Sequence, residues 1–335
     1  MMRVSAGIIR REDGRILICR RGEGRHNAHL WEFPGGKQES GEDAAACLIR
    51  ELSEELSLPV TEVRTLCQRE AEGILFTFLT ARTAHTPVLT EHEACAFVQP
   101  REMLRYAFCP ADTAVARQLA LSEPPVTELF WDFDGTVMDT YPAMAAAMVR
   151  AAASMGIALS PERSMTLMKQ SLPDCAATLS RENGLDAEEL LRRYHAEAVL
   201  YPGDVSPMPG IPQALAALTR SGCRHYLATH RPAEDAMALL AGCGLDGWFT
   251  AAVCPQQGFP RKPAPDMLLH LMERFHLPPE KCVMIGDRPL DVQAGRSAGM
   301  LACLVDGEGR FQQEPCDLRA ASADRLPELL FPGCW

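Results

Sequence analysis

Residues 50–55 read RELSEE. Glu51, Glu54 and Glu55 recur at spacings of three and four, which on a helix gathers them on one face. Like charges so placed repel by roughly 0.2–0.5 kcal/mol per pair. A divalent cation removes that cost and takes oxygen ligands of this kind. Ala45, Leu48, Ile49, Leu52 and Leu56 fall on another face, so the segment offers an apolar side for packing and an anionic side. For three glutamates alone, a solvated face paired with Arg50 is the plainer alternative. A second acid cluster stands in LFWDFDGTVMDT, where Asp132 and Asp134 close an apolar run and face a loop edge. Asp-Gly is also a turn signal, so a strand-to-turn junction would account for that stretch by itself. Three later pieces add chemistry. Thr229 ends HYLAT, Lys262 lies in GFPRKPAPD, and MIGDRPLD ends an apolar run with Asp287 and then Asp291. A carboxylate is a weak nucleophile, but a cation and a lysine beside it can screen the charge of a phosphoryl group. Taken singly, Thr229 could be a helix N-cap and Lys262 a surface lysine.

These groups need elements to hold them. RVSAGII (3–9) and RILIC (15–19) read as strands joined by a turn at REDG. A helical pattern runs from Glu42 to Leu56, then GILFTFLT (73–80) and ACAFV (94–98) read as strands. Residues 112–121 read as a closing helix with Asp112 as its N-cap. In LSEPPVTE (121–128) two prolines end that helix and hold the chain extended as a linker. Beyond it, LFWDF, HYLAT (225–229), CVMIGD (282–287) and LACLV (301–305) are short apolar strands separated by helical material, which implies a parallel sheet. Residues 141–200 interrupt the alternation with the helical stretches AMAAAMVRAAASM, ERSMTLMKQS and AEELLRRYHAEAVL. Such an insertion lies over the carboxyl edge of the sheet, where ligands bind.

The chain has 335 residues, so two domains are expected. Its formal charge is −11, most of it after residue 122. That argues against a nucleic-acid polymer or an anionic membrane as partner, and leaves small phosphorylated substrates open if a metal inverts the local field. Thirteen cysteines, an odd number without a CxxC pair, suggest reduced thiols and a cytoplasmic protein. The start MMRVSAGIIRRED has the features of a strand rather than of a signal peptide, and no apolar run approaches the ~20 residues that span a bilayer.

The spacing of Gly36, Glu42, Arg50-Glu51-Leu52, Glu54-Glu55 and Ser57-Leu58 resembles the Nudix box, with Ser57 standing where that family usually has glycine. The resemblance implies hydrolysis of a nucleoside diphosphate linked to another moiety. Glu51, Glu54 and Glu55 would hold Mg²⁺ or Mn²⁺ and activate water, Arg50 would orient the carboxylates, and Gly35 and Gly36 would lie nearby. RRGEGRHNAHLWEFPGGK (20–37), EHEACAFV (91–98) and AFCPADTAVARQL (107–119) resemble the MutT-type branch. They imply Glu91 as a further metal ligand or base, Asp112 as the base-reading residue, and Arg21, His26 and Phe33 as pocket residues. Taken alone, Phe33 could be core and His26 an exposed loop residue. The order Asp132-Phe-Asp134-Gly-Thr, Thr229, Lys262, Gly-Asp287-Arg-Pro-Leu-Asp291 resembles the haloacid dehalogenase superfamily of phosphohydrolases, over roughly 127–332. It implies Asp132 as nucleophile and Asp134 as acid and base. Thr229 and Lys262 would bind the phosphoryl oxygens. Asp132, the backbone carbonyl of Asp134, Asp287 and Asp291 would hold or support Mg²⁺.

Together these resemblances imply an α/β protein. Residues 1–122 would form a Nudix α/β/α sandwich with a mixed sheet, and 123–128 a linker. Residues 129–335 would form a Rossmann-like core with a parallel sheet and a helical cap at about 141–205, like that of the phosphoglycolate phosphatase and β-phosphoglucomutase branch. The implied function is that of a bifunctional phosphohydrolase. One half would convert a nucleoside triphosphate, an oxidised dGTP or a pyrimidine nucleotide, to the monophosphate and pyrophosphate. The other would dephosphorylate a small phosphomonoester through an aspartyl-phosphate, with the released nucleotide as one candidate. Alternatives for the second half are a phosphoglycolate phosphatase, an inorganic pyrophosphatase or a sugar-phosphate mutase unrelated to the first product.

Overall fold

In the computed structural model, residues 1–122, 124–169, 171–200 and 204–331 are described. The chain divides into two compact units, Met1–Pro125 and Val126–Pro327, the tail from Glu328 being grouped with the first.

The first unit contains β1 (Met2–Arg10), β2 (Ile16–Arg20), β3 (Trp31–Glu32), β4 (Gly35–Lys37), α1 (Ala44–Leu56), β5 (Thr61–Ala71), β6 (Ile74–Arg82), β7 (Ala94–Val98) and α2 (Pro110–Ser122). Its sheet runs β3-β2-β1-β6-β5, with β4 on β1 and β7 on β2. It is mixed, because β1 runs parallel to β6 and antiparallel to β2. Period-two alternation loads both faces. Ile8, Ile16, Ile18 and Phe78 pack with Val115, Ala116 and Leu119 of α2. Their neighbours Ile9, Leu17, Cys19 and Leu79 pack with Leu48, Leu52 and Leu56 of α1. The sheet is therefore sandwiched between the two helices.

Two expectations are corrected here. Ile49 is 48% exposed, and Cys47 takes its place on the packed face of α1. Asp112 is not an N-cap: α2 begins at Pro110, whose fixed φ suits the first helical turn, and Asp112 lies within that first turn and is buried. The strands β3, β4 and β5 went unread. The first two are only two and three residues long, and β5 pairs with β6 alone at the sheet edge, so its mostly exposed side chains carry no apolar pattern.

The second unit contains β8 (Glu128–Trp131), β9 (Met138–Asp139), α3 (Tyr141–Ser154), α4 (Pro161–Met168), α5 (Leu172–Asn183), α6 (Ala187–Leu200), β10 (Ser206–Pro207), α7 (Ile211–Arg220), β11 (Arg224–Ala228), α8 (Ala233–Gly242), β12 (Phe249–Val253), α9 (Asp266–Phe275), β13 (Cys282–Gly286), α10 (Pro289–Ser297), β14 (Leu301–Val305) and β15 (Leu318–Ala320), followed by α11 (Leu326–Leu330). The six-stranded sheet runs β12-β11-β8-β13-β14-β15, every pair parallel. Helices α3 to α6 build a separate core around Met148, Leu167, Leu179 and Leu190. Here β12, β15 and α5 went unread; α5 is stopped by Gly184 in the left-handed conformation. The order matters for the site. Strands β11 and β13 flank β8, so the residues that follow all three emerge side by side at one carboxyl edge.

Two candidate active sites

In the first unit, Gly36 lies on β4 opposite α1, and a Cβ there would come within 2.3 Å of the Glu51 carboxylate. The bare glycine therefore lets that carboxylate rest against the backbone. Gly35 is tied as tightly: with φ of +153°, a Cβ would meet the Ser5 carbonyl oxygen of β1 at 2.0 Å. Arg50 gathers the acids. It donates from Nε to Glu42 Oε1 at 3.0 Å, from Nη2 to Glu42 Oε2 and the Lys37 carbonyl at 3.1 Å each, and from Nη1 to Glu54 Oε2 at 3.1 Å. Its Nη1 is also 3.0 Å from Glu51 Oε1. Bonding to Arg50 holds the Glu42 carboxyl down at about 2.

A cavity of about 560 Å³ opens beside this helix, and Glu51, Glu55, Glu91, Gly35, Gly36, Arg21, His26, Phe33 and Asp112 all line it. Glu51 and Glu55 are each 13% exposed, whereas Glu54 is 60% exposed, turned to Arg50 and off the cavity wall. Burial, with the neighbouring Glu51, Glu91 and Glu32 charges, pushes Glu55 up to about 7 against the pull of His92. Glu91 pairs with Arg25. At the far wall Arg21 pairs with Glu32 and donates to the His26 carbonyl at 2.7 Å. Glu32 also bonds His92 Nε2 at 3.2 Å. Asp112 Oδ1 accepts the Phe33 N–H at 3.3 Å, and burial drives this carboxyl up to about 8. Phe33 itself packs edge-on against Phe78 and tilted on Phe108, so it is both core and wall. The sequence reading missed Glu32 and His92; each sits inside a segment already singled out, but nothing in the spacing told which side chain turns inward.

In the second unit, the Asp132 N–H donates to the Ile285 carbonyl at 2.8 Å, continuing the β8–β13 ladder one residue past β8. Lys262 is fully buried, and its Nζ lies 2.6 Å from Asp132 Oδ1, 2.9 Å from the Ala228 carbonyl and 2.6 Å from Asp291 Oδ1. The last contact is an ion pair without hydrogen-bond alignment, since Asp291 Oδ1 has no bonded partner. Asp132 Oδ2 has none either. Oxygens of Asp132, Asp287 and Asp291 all lie within 4.8 Å of one another, and all three residues are buried. Three carboxylates buried this close repel one another, and two of their oxygens lack hydrogen bonds; a divalent cation takes oxygen ligands and relieves that cost, so this donor set fits one. Burial pushes Asp132 up, but Lys262 and Arg288 outweigh it and hold the carboxyl below its ordinary range. Burial and the Asp132 charge raise Asp287 to about 7.

Asp134 faces another way. Its Oδ1 accepts from Thr140 Oγ1 at 2.7 Å and from Arg231. Thr229 follows β11, is buried, and accepts the Arg231 N–H at 3.0 Å. Sequence reasoning missed Tyr141 and Thr136, which donate to Asp287 at 3.1 and 3.2 Å, and Arg288, whose Nη2 is 3.6 Å from Asp132 Oδ2. Arg288 stood inside GDRPLD, between two residues that were singled out.

Comparison with known proteins finds a family for each half of the chain. A family model for the NUDIX domain matches residues 1–129, and one for haloacid dehalogenase-like hydrolases matches residues 129–299. A phosphoglycolate phosphatase of Cupriavidus necator is 30% identical over 221 residues, covering 62% of this chain and 95% of that protein. The CTP pyrophosphohydrolase of Escherichia coli is 38% identical over 120 residues, covering 33% of this chain and 86% of that protein. Among solved structures, CbbY from Rhodobacter sphaeroides in complex with phosphate aligns with a TM-score of 0.51 at 21% identity, over 60% of this chain and 96% of that one. At that identity the likeness is one of fold.

Proposed function

We propose, from the premise that this chain belongs to the haloacid dehalogenase-like hydrolases and carries a NUDIX domain ahead of that fold, a division of labour between its two phosphohydrolase sites. Residues 1–122 form the first domain and 129–335 the second, with α3 to α6 as a cap over the second site. The first site takes a nucleoside triphosphate. Water attacks, and nucleoside monophosphate and pyrophosphate leave. Glu51 and Glu55, with Glu91, would hold Mg²⁺ or Mn²⁺, which neutralises phosphate charge and acidifies water. Arg50 fixes the acids, and Asp112, Arg21, His26 and Phe33 receive the nucleoside. Glu54 as the base rests on its place in the motif. The CTP pyrophosphohydrolase relative favours a pyrimidine nucleotide among the candidates.

The second site hydrolyses a small phosphate monoester. An Asp132 oxygen bonds to phosphorus as the P–O bond to the alcohol breaks, and Asp134 gives the leaving alkoxide its proton. Water then attacks phosphorus, Asp134 takes its proton, and inorganic phosphate leaves with Asp132 restored. Thr229 and Lys262 bind the phosphoryl oxygens. Asp132, Asp287 and Asp291 would hold Mg²⁺, which offsets the charge of phosphoryl and carboxylates. The observation that carries this reading is the buried Lys262 bonded to Asp132 beside three clustered, buried carboxylates, two of whose oxygens make no hydrogen bond. With twelve free thiols among the described cysteines, we place the protein in the cytoplasm. No helix among the described residues is long and apolar enough to cross a membrane.

The test uses the full chain with Mg²⁺. Asp132→Asn should abolish ester hydrolysis and leave triphosphate hydrolysis intact, and Glu51→Gln should do the reverse. Either variant losing both activities, or neither, would overturn the assignment. Including the nucleoside monophosphate and pyrophosphate in the ester panel asks whether the second site consumes a product of the first.

A further inference from the structure

Arg288 takes no part in the two steps just described, yet it stands among the acids that serve them. It lies between β13 and α10, and its side chain is only 10% exposed. Nη2 is 3.6 Å from Asp132 Oδ2 and Nε is 3.9 Å from Asp287 Oδ1, both too long for hydrogen bonds. Arg288 Nε, Asp132 Oδ2 and Asp291 Oδ1 are all buried without a hydrogen-bond partner. The guanidinium nevertheless favours the ionised form of Asp132, Asp287 and Asp291 alike. Tyr141, from the helical insertion, donates to Asp287 Oδ2 at 3.1 Å and also acts on Arg288 electrostatically. An arginine keeps its charge at every ordinary pH. A fixed cation is therefore held against the acid cluster by charge and burial, with its Nε donor unused.

Lys262 is the other cation, bonded to Asp132 and 2.6 Å from Asp291 Oδ1. With the three acids ionised, Lys262 and Arg288 offset two of the three charges. A divalent ion held by the same acids then leaves the site with one positive charge in excess, and burial makes that excess costly. Without Arg288 the same ion would balance the acids and Lys262. A phosphate dianion reverses the cost. It takes up the excess charge, and the unbonded Nε–H of Arg288 suits its oxygens.

We infer that Arg288 couples the divalent ion to the phosphate group: it weakens binding of the ion to the phosphate-free second site and strengthens it once a phosphate is bound. The inference rests on the ion site of Asp132, Asp287 and Asp291 assigned above. Coupling of this kind is reciprocal, so the ion raises the affinity for phosphate by the same factor. The second site thus takes its ion and its ester together and does not retain the ion between turnovers.

The experiment titrates Mg²⁺ into the full chain by calorimetry, with and without inorganic phosphate, at one ionic strength. Every sample carries Glu51→Gln to suppress the first site, and Asp287→Asn in that background identifies the heat that belongs to the second. A charge a few ångströms from a titrating group changes its proton affinity by about 10-fold or more, and a divalent ion feels that charge twice over. Arg288→Met should therefore bind Mg²⁺ alone about 10-fold or more tighter than the protein that keeps Arg288. Phosphate should tighten Mg²⁺ binding by about 10-fold or more where Arg288 is present, and by several-fold less in Arg288→Met. Arg288→Lys should recover part of that coupling. Arg288→Gln takes the place of the methionine variant if that one does not fold. Mg²⁺ affinity that is unchanged or lower in the neutral variants overturns the inference, and so does phosphate coupling that is equal with and without the charge. Mg²⁺ binding that Asp287→Asn leaves untouched would instead sink the ion site itself, and the inference with it.

Discussion

Replacing Asp112 by asparagine removes a buried carboxyl while keeping an oxygen for the Phe33 N–H, which Asp112 Oδ1 now accepts at 3.3 Å. Burial raises the Asp112 carboxyl to about 8 in the folded chain, against about 3.9 for an unperturbed aspartate. Below both values the group is protonated in either state and contributes nothing to the pH dependence. Between about 4 and about 8 the unfolded chain sheds the proton that the folded chain keeps, so this group makes stability fall as pH rises. The gap of about four pKa units, at about 1.36 kcal/mol each, sets an upper bound of roughly 5 kcal/mol, complete only above pH 8. The asparagine does not titrate, although its extra N–H₂ group needs a partner, at a cost of about 1 kcal/mol or more. Asp112→Asn should therefore be near neutral or mildly destabilising at pH 4.5. It should stabilise the first unit by roughly 2–4 kcal/mol more at pH 8.5. Scanning calorimetry at the two pH values, which separates transitions of distinct units, reads this directly. A shift that is the same at both pH values, or that is less favourable at pH 8.5, would refute the idea that the cavity wall holds a protonated acid.

Three further outcomes follow from the geometry. Lys262→Met leaves Asp132 and Asp291 without their buried cation; unfolding should cost about 3–5 kcal/mol less without metal, and added Mg²⁺ should recover part of that in a thermal-shift series, whereas an unchanged midpoint would contradict the pairing. Ser57, which ends α1 in the left-handed conformation at φ 46° with the Leu58 N–H returned to the Leu52 carbonyl, stands where a glycine is unstrained. Ser57→Gly should stabilise by about 0.5–1 kcal/mol in denaturant titration, and a loss of stability would show that the serine is not strained. Gly36→Ala should drive the Glu51 carboxylate off the β4 backbone and weaken Mn²⁺ binding to the first unit by about tenfold or more, the scale of disturbing a ligand's support. Calorimetric titration showing wild-type affinity would remove Glu51 from the metal site.

What the sequence determined by itself was the set of reacting groups and the elements that carry them. The run from Gly36 to Ser57 holds its information in local spacing, because helix periodicity alone decides that Leu48, Leu52 and Leu56 share one face. The aspartates after β8 and β13 were legible because an apolar strand that stops at an acid can put it only at the sheet edge. The helices of 187–200 and the strands of 94–98 and 301–305 were legible for the same local reason. The tertiary structure decided which of these groups meet. Strand order, with β8 beside β13, brings Asp132, Asp287 and Asp291 into one buried cluster, against which Lys262 from beyond β12 is paired; no local pattern encodes which strands neighbour each other. It also turned Glu54 out towards Arg50 while keeping Glu51 and Glu55 on the cavity wall. Asp112 changed from an expected cap to a buried wall residue, and Arg231, Arg288 and His92 were given partners distant in sequence. Side-chain direction and burial depend on contacts between remote segments, and spacing along the chain carries no record of those.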